Sequence, residues 1–152
     1  MINTRDETLH LRTYAPSDGG KIKALVFFFH GYGGHNSSTV KVQLGKSLVP
    51  LGIANVQLDL PGHGYSDGER AYVNKYSHWL DDIFQILEAI AGGGFSDPAE
   101  GKVALSESQL EQLKKVPIFL SGESLGGGLS LLTGLELYDR QHALLPRFRG
   151  CA

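Results

Sequence analysis

This sequence predicts an α/β fold in three layers, with helices on the two faces of a mostly parallel sheet. Three observations carry that prediction. Short apolar runs stand at Ala24–Phe29, Ile53–Leu60 and Ile118–Ser121, each too short for a helix and suited to a strand buried on both faces. Segments with apolar residues at three- and four-residue steps follow them in the chain. Each run also ends in a glycine-rich loop. Strand and helix in alternation imply parallel strands joined by crossover helices.

The elements follow in order. Thr8–Tyr14 alternates weakly and reads as an early edge strand. Pro16–Lys21 holds Pro, Ser, Asp and two Gly, a turn. Ala24–Phe29 is the first buried strand and stops at His30-Gly31-Tyr32-Gly33-Gly34. Ser37 or Ser38 caps a helix over about Thr39–Val49, with Val40, Leu44 and Leu48 on one face, and Pro50 and Gly52 end it. Ile53–Leu60 runs into the turn-rich stretch Asp59–Gly68. Val73–Ile90 reads as a helix, since Trp79, Leu80, Ile83, Phe84, Leu87 and Ile90 fall at helical spacing. Ala91–Gly101 is a glycine-rich break. Ser106-x-x-Gln109 resembles a capping box for a short helix through Lys115. The third strand, a helix ending near Arg140, and the start of another strand in Arg147–Ala152 complete the chain.

Composition narrows the function classes. The 152 residues carry 14 basic and 16 acidic side chains, a net charge of −2, so no electrostatic case exists for a nucleic-acid partner. The one cysteine, Cys151, excludes an internal disulfide. No His/Cys spacing suggests a metal, and no cofactor motif is complete. Met1–Arg12 is polar and charged, unlike a signal peptide. The apolar run Ala24–Phe29 is far below the roughly 18 residues of a membrane-spanning helix. A cytoplasmic protein is the expectation.

The chemistry concentrates in Gly122-Glu123-Ser124-Leu125-Gly126, which fits the G-x-S-x-G nucleophile elbow. A serine hydroxyl becomes a useful nucleophile when it is exposed at a sharp strand-to-helix turn beside a base and a helix N-terminus. Gly122 and Gly126, lacking Cβ, let the turn form and the helix approach the strand. Acyl transfer also needs donors aimed at a developing oxyanion. The backbone N–H of Leu125 is one candidate. An N–H of the His30–Gly33 loop, that of Tyr32, is the other, with Gly31 and Gly33 giving the loop its freedom.

These three loops resemble the α/β-hydrolase superfamily: His-Gly-Tyr-Gly after one strand, Asp-Leu-Pro-Gly-His-Gly-Tyr-Ser-Asp-Gly after the next, and Gly-Glu-Ser-Leu-Gly-Gly after the third. Within it the chain resembles the monoacylglycerol lipase and lysophospholipase-like branch, also labelled serine aminopeptidase S33-like. The resemblance implies that Ser124 is the nucleophile and that Tyr32 and Leu125 supply the oxyanion-hole N–H groups. It implies a fatty-acyl ester substrate such as a monoacylglycerol or lysophospholipid; such a substrate allows peripheral membrane contact, and no cofactor is expected. In that fold the triad runs Ser, then Asp or Glu, then His. Only 28 residues follow Ser124 (152 minus 124). The expectation is therefore that residues 1–152 are the N-terminal part of a single domain, with the acid and the base encoded beyond Ala152. Glu136, Asp139 and His142 mimic the triad order, but a regular helix from Ser124 carries His142 roughly 27 Å away at about 1.5 Å per residue.

The other conspicuous residues have plainer readings. His30 holds the oxyanion loop, His63 braces its own loop, and Asp59 anchors its loop without a catalytic role. His10, His35 and His78 are surface or satisfied positions, and His142 is a solvated residue. Trp79 and Phe27–Phe29 are core. Glu123 braces a loop, and Cys151 is incidental. Two other functions compete with the serine ester hydrolase. One is a non-catalytic binding or interaction remnant of the same fold. The other is a dinucleotide-binding protein, which ranks low because Gly31-x-Gly33-x-x-Asn36 and Gly62-x-Gly64-x-x-Asp67 both lack the third glycine.

Overall fold

A computed structural model describes residues 1–17, 20–92 and 105–152. Most of the break expected over Ala91–Gly101, and part of the Pro16–Lys21 turn, lie outside the described residues. The strands are β1 (Leu11–Tyr14), β2 (Ala24–Phe29), β3 (Ile53–Leu58), β4 (Ile118–Gly122) and β5 (Phe148–Cys151). They form one sheet in the order β1-β3-β2-β4-β5. β1 is antiparallel to β3, and the other three pairings are parallel. The apolar runs thus occupy the middle of the sheet, where neighbours cover them on both sides.

Side chains alternate across β2, as a period of two requires. Leu25, Phe27 and Phe29 enter the main core with Val56, Leu58, Ile118 and Leu120. Val26 and Phe28 face the other way, into an apolar groove of about 330 Å³ that Leu44, Leu48 and Phe119 also line.

The helices are α1 (Thr39–Leu48), α2 (Tyr76–Ala91), α3 (Glu107–Leu113) and α4 (Leu125–Asp139). α2 contributes Trp79, Leu80, Ile83, Ile86, Leu87 and Ile90 to the core. It begins three residues later than its sequence pattern predicts. Val73 is exposed and Lys75 is still extended, because burial starts only at Trp79. α3 has the expected capping box: the Ser106 hydroxyl accepts from the Gln109 N–H, and the Gln109 side chain accepts from the Ser106 N–H. α1 departs from the expected apolar face. Val40 is exposed, Leu44 and Leu48 line the open groove, and the buried position is Gly45, against the Tyr14 ring.

Two polar clusters tie the periphery down. Asp82 on α2 is fully buried and accepts from Asn3 Nδ2 (3.0 Å) and Arg5 Nη2 (2.6 Å). Burial raises its pKa, and the Arg5 charge opposes that shift without cancelling it. Arg147 donates to the Ala91 carbonyl at the end of α2 (2.9 Å), to the Leu113 carbonyl at the end of α3 and to the Val116 carbonyl (3.0 Å). A cation satisfying last-turn carbonyls is favoured there by the helix dipole. Among the described residues, no helix is long and apolar enough to cross a membrane.

Candidate active site

Ser124 sits at the junction of β4 and α4. Its backbone is at φ 53° and ψ −116°, a region that costs a non-glycine residue about 1–3 kcal/mol and persists only where its surroundings impose it. They do so here. The Glu123 N–H donates to the Phe29 carbonyl (3.1 Å), and the Gly126 N–H returns to the Glu123 carbonyl (2.9 Å). Phe29 and Gly122 are partners across the β2–β4 register. The turn therefore leaves the sheet beside the loop that follows β2. A Cβ on Gly126 would lie 2.0 Å from the Phe29 carbonyl oxygen, and one on Gly122 would lie 2.2 Å from the Gly126 carbonyl. Only glycine permits this approach of helix to sheet.

Ser124 is exposed, and its hydroxyl has no hydrogen bond to any described residue. Gly31 stands against it: a Cβ there would be 3.3 Å from the Ser124 Cβ. The next residue is Tyr32. Its N–H donates to no described residue, and its ring is turned away, with the hydroxyl on the Ala71 carbonyl (2.8 Å). Leu125 opens α4 and so has no carbonyl one turn earlier to bond. Two unused backbone N–H groups, Tyr32 and Leu125, thus accompany the exposed hydroxyl, together with the positive end of a helix.

The loop carrying Tyr32 is set by His30 and Asp59. His30 is fully buried: Nδ1–H donates to the Gly31 carbonyl (2.7 Å), and Nε2 accepts from the Leu60 N–H (3.0 Å). Burial lowers its pKa, more than its hydrogen bond to Gly31 raises it, so the ring is neutral as both bonds require. Asp59, also fully buried, accepts from the Asn36 N–H (2.7 Å) and the Tyr65 N–H (3.1 Å), and pairs with His10 Nδ1 (2.9 Å). One carboxylate therefore joins the loops after β2 and β3 to the start of β1. His63 Nδ1 meets the Pro61 carbonyl (2.9 Å). Glu123 forms an ion pair with Lys41.

One expectation changes. His142 is not solvated: its side chain is mostly covered, with Nε2 2.9 Å from Glu88 Oε1 and the ring against Phe84. His10 is a satisfied position, with Asp59 as its partner. A histidine upstream of a strand carries no sequence mark of a carboxylate 49 residues later. Asp59 itself was legible as a residue that bonds the backbone of a following turn. Among the described residues, no group of His, Cys, Asp and Glu side chains is arranged to hold a metal.

A family model described as serine aminopeptidase, S33, matches residues 20–145. This chain belongs to that family, and its fold is the α/β-hydrolase fold. Human monoglyceride lipase is 28% identical over 136 residues, covering 90% of this chain and 37% of that protein. Caffeoylshikimate esterase of Arabidopsis thaliana is 31% identical over 131 residues, 86% of this chain and 34% of that protein. Among solved structures, a soluble variant of monoglyceride lipase from Saccharomyces cerevisiae in complex with a substrate analogue superimposes with a TM-score of 0.67 at 19% identity. That match covers 98% of this chain and 40% of the yeast chain. The chain spans little more than a third of the length of the curated relatives it matches.

Proposed function

We propose that these residues carry the nucleophile and oxyanion hole of a serine ester hydrolase acting on acyl esters of the monoacylglycerol or lysophospholipid type. Residues 1–152 are read as the N-terminal part of one hydrolase domain. One observation carries the proposal: an exposed hydroxyl on a strained turn, beside two backbone N–H groups that donate to no described residue. In this reading Ser124 Oγ attacks the ester carbonyl. Its proton passes to an imidazole supplied from outside these 152 residues, and an acid there orients that ring. The Tyr32 and Leu125 N–H groups hold the tetrahedral oxyanion. Collapse expels the alcohol, and water then cleaves the acyl-serine ester.

Two features support reading the chain as part of a larger domain. The groove beside Val26 and Phe28 is apolar and open, and α4 presents Leu131, Leu132, Leu135 and Tyr138 to solvent. Patches of this kind mark surfaces that pack against something else. The test is fluorophosphonate treatment of the protein isolated from its native source, followed by peptide mass spectrometry. The adduct is expected on Ser124, with monoacylglycerol hydrolysis lost in parallel. An adduct confined to another residue overturns the assignment. A native protein that takes no label and hydrolyses no acyl ester is the non-catalytic binding protein instead.

A further inference from the structure

Glu123 stands between the end of β4 and Ser124, and its side chain reaches across to α1, where Lys41 Nζ is its ion-pair partner. The two halves of this pair differ. The Lys41 side chain is 12% exposed and that of Glu123 59%. The ammonium is therefore largely withdrawn from water, 5.8 Å from the centre of the Phe28 ring. Among the described residues, Glu123 is its one anionic partner. Two free surface chains gain little from pairing. A covered ammonium needs its counter-charge and so fixes where that charge lies.

The pair joins the two halves of the candidate oxyanion hole. Lys41 follows Tyr32 by nine residues, and Glu123 precedes Leu125 by two. The Lys41 carbonyl accepts from Gln57 Nε2 (2.9 Å), which also donates to Asn55 Oδ1 (2.8 Å), and both side chains are buried on β3. That ties α1 to the sheet at this residue. On the other side, a Cβ on Gly31 would lie 3.2 Å from the Glu123 carbonyl oxygen, so the loop leading to Tyr32 abuts the residue that Lys41 holds. The remaining ionisable groups of the adjoining loops are engaged elsewhere. His30 bonds Gly31 and Leu60, Asp59 is held by Asn36, Tyr65 and His10, His63 meets the Pro61 carbonyl, and His35 accepts from the Ser37 N–H. α4 carries no charged side chain before Glu136. Glu123 is thus the carboxylate that adjoins Ser124, within about 10 Å of its hydroxyl by chain length alone.

We propose that Lys41 is a positioning residue for the Ser124 chemistry: it cancels the Glu123 charge beside the oxyanion site and pins the elbow to the helix that follows the Tyr32 loop. The inference rests on the ester-hydrolase reading. An unpaired carboxylate there opposes a developing oxyanion and stabilises the protonated form of the base that serves Ser124. An unpaired ammonium does the reverse.

The test is kcat/KM against pH for p-nitrophenyl butyrate, in the protein as its natural gene encodes it, with Ser124→Ala as the blank. Lys41→Met is expected to move the acid limb up by about half a pH unit, the effect of one charge near 10 Å at intermediate dielectric. At neutral pH its kcat falls about threefold with KM little changed. Glu123→Gln moves the limb down by a similar amount, and Lys41→Met/Glu123→Gln returns it to the parent position. Opposite displacements are the mark of charge; a tie that only holds the fold together lowers the urea midpoint and leaves the limb in place. The Glu123 side chain is mostly exposed, so Glu123→Gln carries the test if Lys41→Met does not fold. Limbs that stay put, or that move the same way in both single variants, overturn the proposal while Ser124-dependent hydrolysis by the parent keeps the hydrolase reading. A parent no faster than Ser124→Ala removes that reading, and the proposal with it.

Discussion

Replacing Gly126 by alanine, with Gly128→Ala as its partner experiment, isolates the contact that shapes the elbow. The two glycines lie on the first turns of α4, one turned toward the sheet and one away. An added methyl at Gly126 falls 2.0 Å from the Phe29 carbonyl oxygen and 2.7 Å from that of His30. Ordinary contact is about 3.5 Å, and both atoms belong to the backbone. Phe29 is held by Leu58 on one side and Gly122 on the other, so β2 cannot yield. The helix must move off by roughly 1–1.5 Å, which separates the buried Leu129 and Leu137 from the core. Overpacking costs about 1–3 kcal/mol where side chains can adjust. With backbone on both sides the expected loss is about 3 kcal/mol. A methyl at Gly128 meets nothing within 4 Å, and alanine there gains about 0.5–1 kcal/mol of helix propensity. Urea unfolding followed by circular dichroism reads both. At a slope of about 2 kcal/mol/M, Gly126→Ala lowers the midpoint by about 1.5 M and Gly128→Ala raises it slightly. A Gly126→Ala midpoint at or above that of the parent, or a Gly128→Ala midpoint below it, refutes the reasoning.

Other perturbations follow from the polar clusters. Arg5→Met leaves Asp82 buried and unpaired, and is expected to cost about 2–3 kcal/mol at neutral pH. The loss should shrink in acid, where Asp82 takes up a proton, and Arg5→Met/Asp82→Leu should recover most of it; an unchanged urea midpoint would refute the pairing. The lowered pKa of His30 means that below about pH 6.5 the unfolded chain binds a proton the folded chain resists. Stability is therefore complete above that pH and declines as pH falls through the folded value. Urea midpoints across pH 5–7.5 should show this slope in the parent and a flatter one in His30→Gln; equal slopes would exclude His30 as the cause. Arg147→Met strips three carbonyls of their donor and should cost about 2 kcal/mol in the same assay. Arg147→Lys should restore only part, because an ammonium cannot reproduce the planar fork.

The central strands and the elbow were readable because each has a local cause. Ala24–Phe29 is apolar throughout, since neighbours cover both faces, and glycine brackets Ser124 where a Cβ would strike backbone. The capping box at Ser106 was equally local. What escaped the sequence depends on distant partners. Nothing near Val73 marks the later start of α2, which waits for Trp79 to reach the core. The helix pattern places Val40 with Leu44 and Leu48, yet only the latter two line the groove and Val40 stays exposed. The pairing of His10 with Asp59 and of Asp82 with Arg5 joins residues 49 and 77 positions apart, and no periodicity records such contacts. The family resemblance was legible because three loops, each explicable by its own turn chemistry, occur in order on three adjoining strands.

The most direct measurement is the rate at which the 152-residue chain by itself reacts with a fluorophosphonate at neutral pH. If the hydroxyl of Ser124 lacks its proton acceptor here, the adduct forms no faster than in the Ser124→Ala control. Rapid, stoichiometric modification of Ser124 would mean that a base within these residues activates it, and would contradict the account.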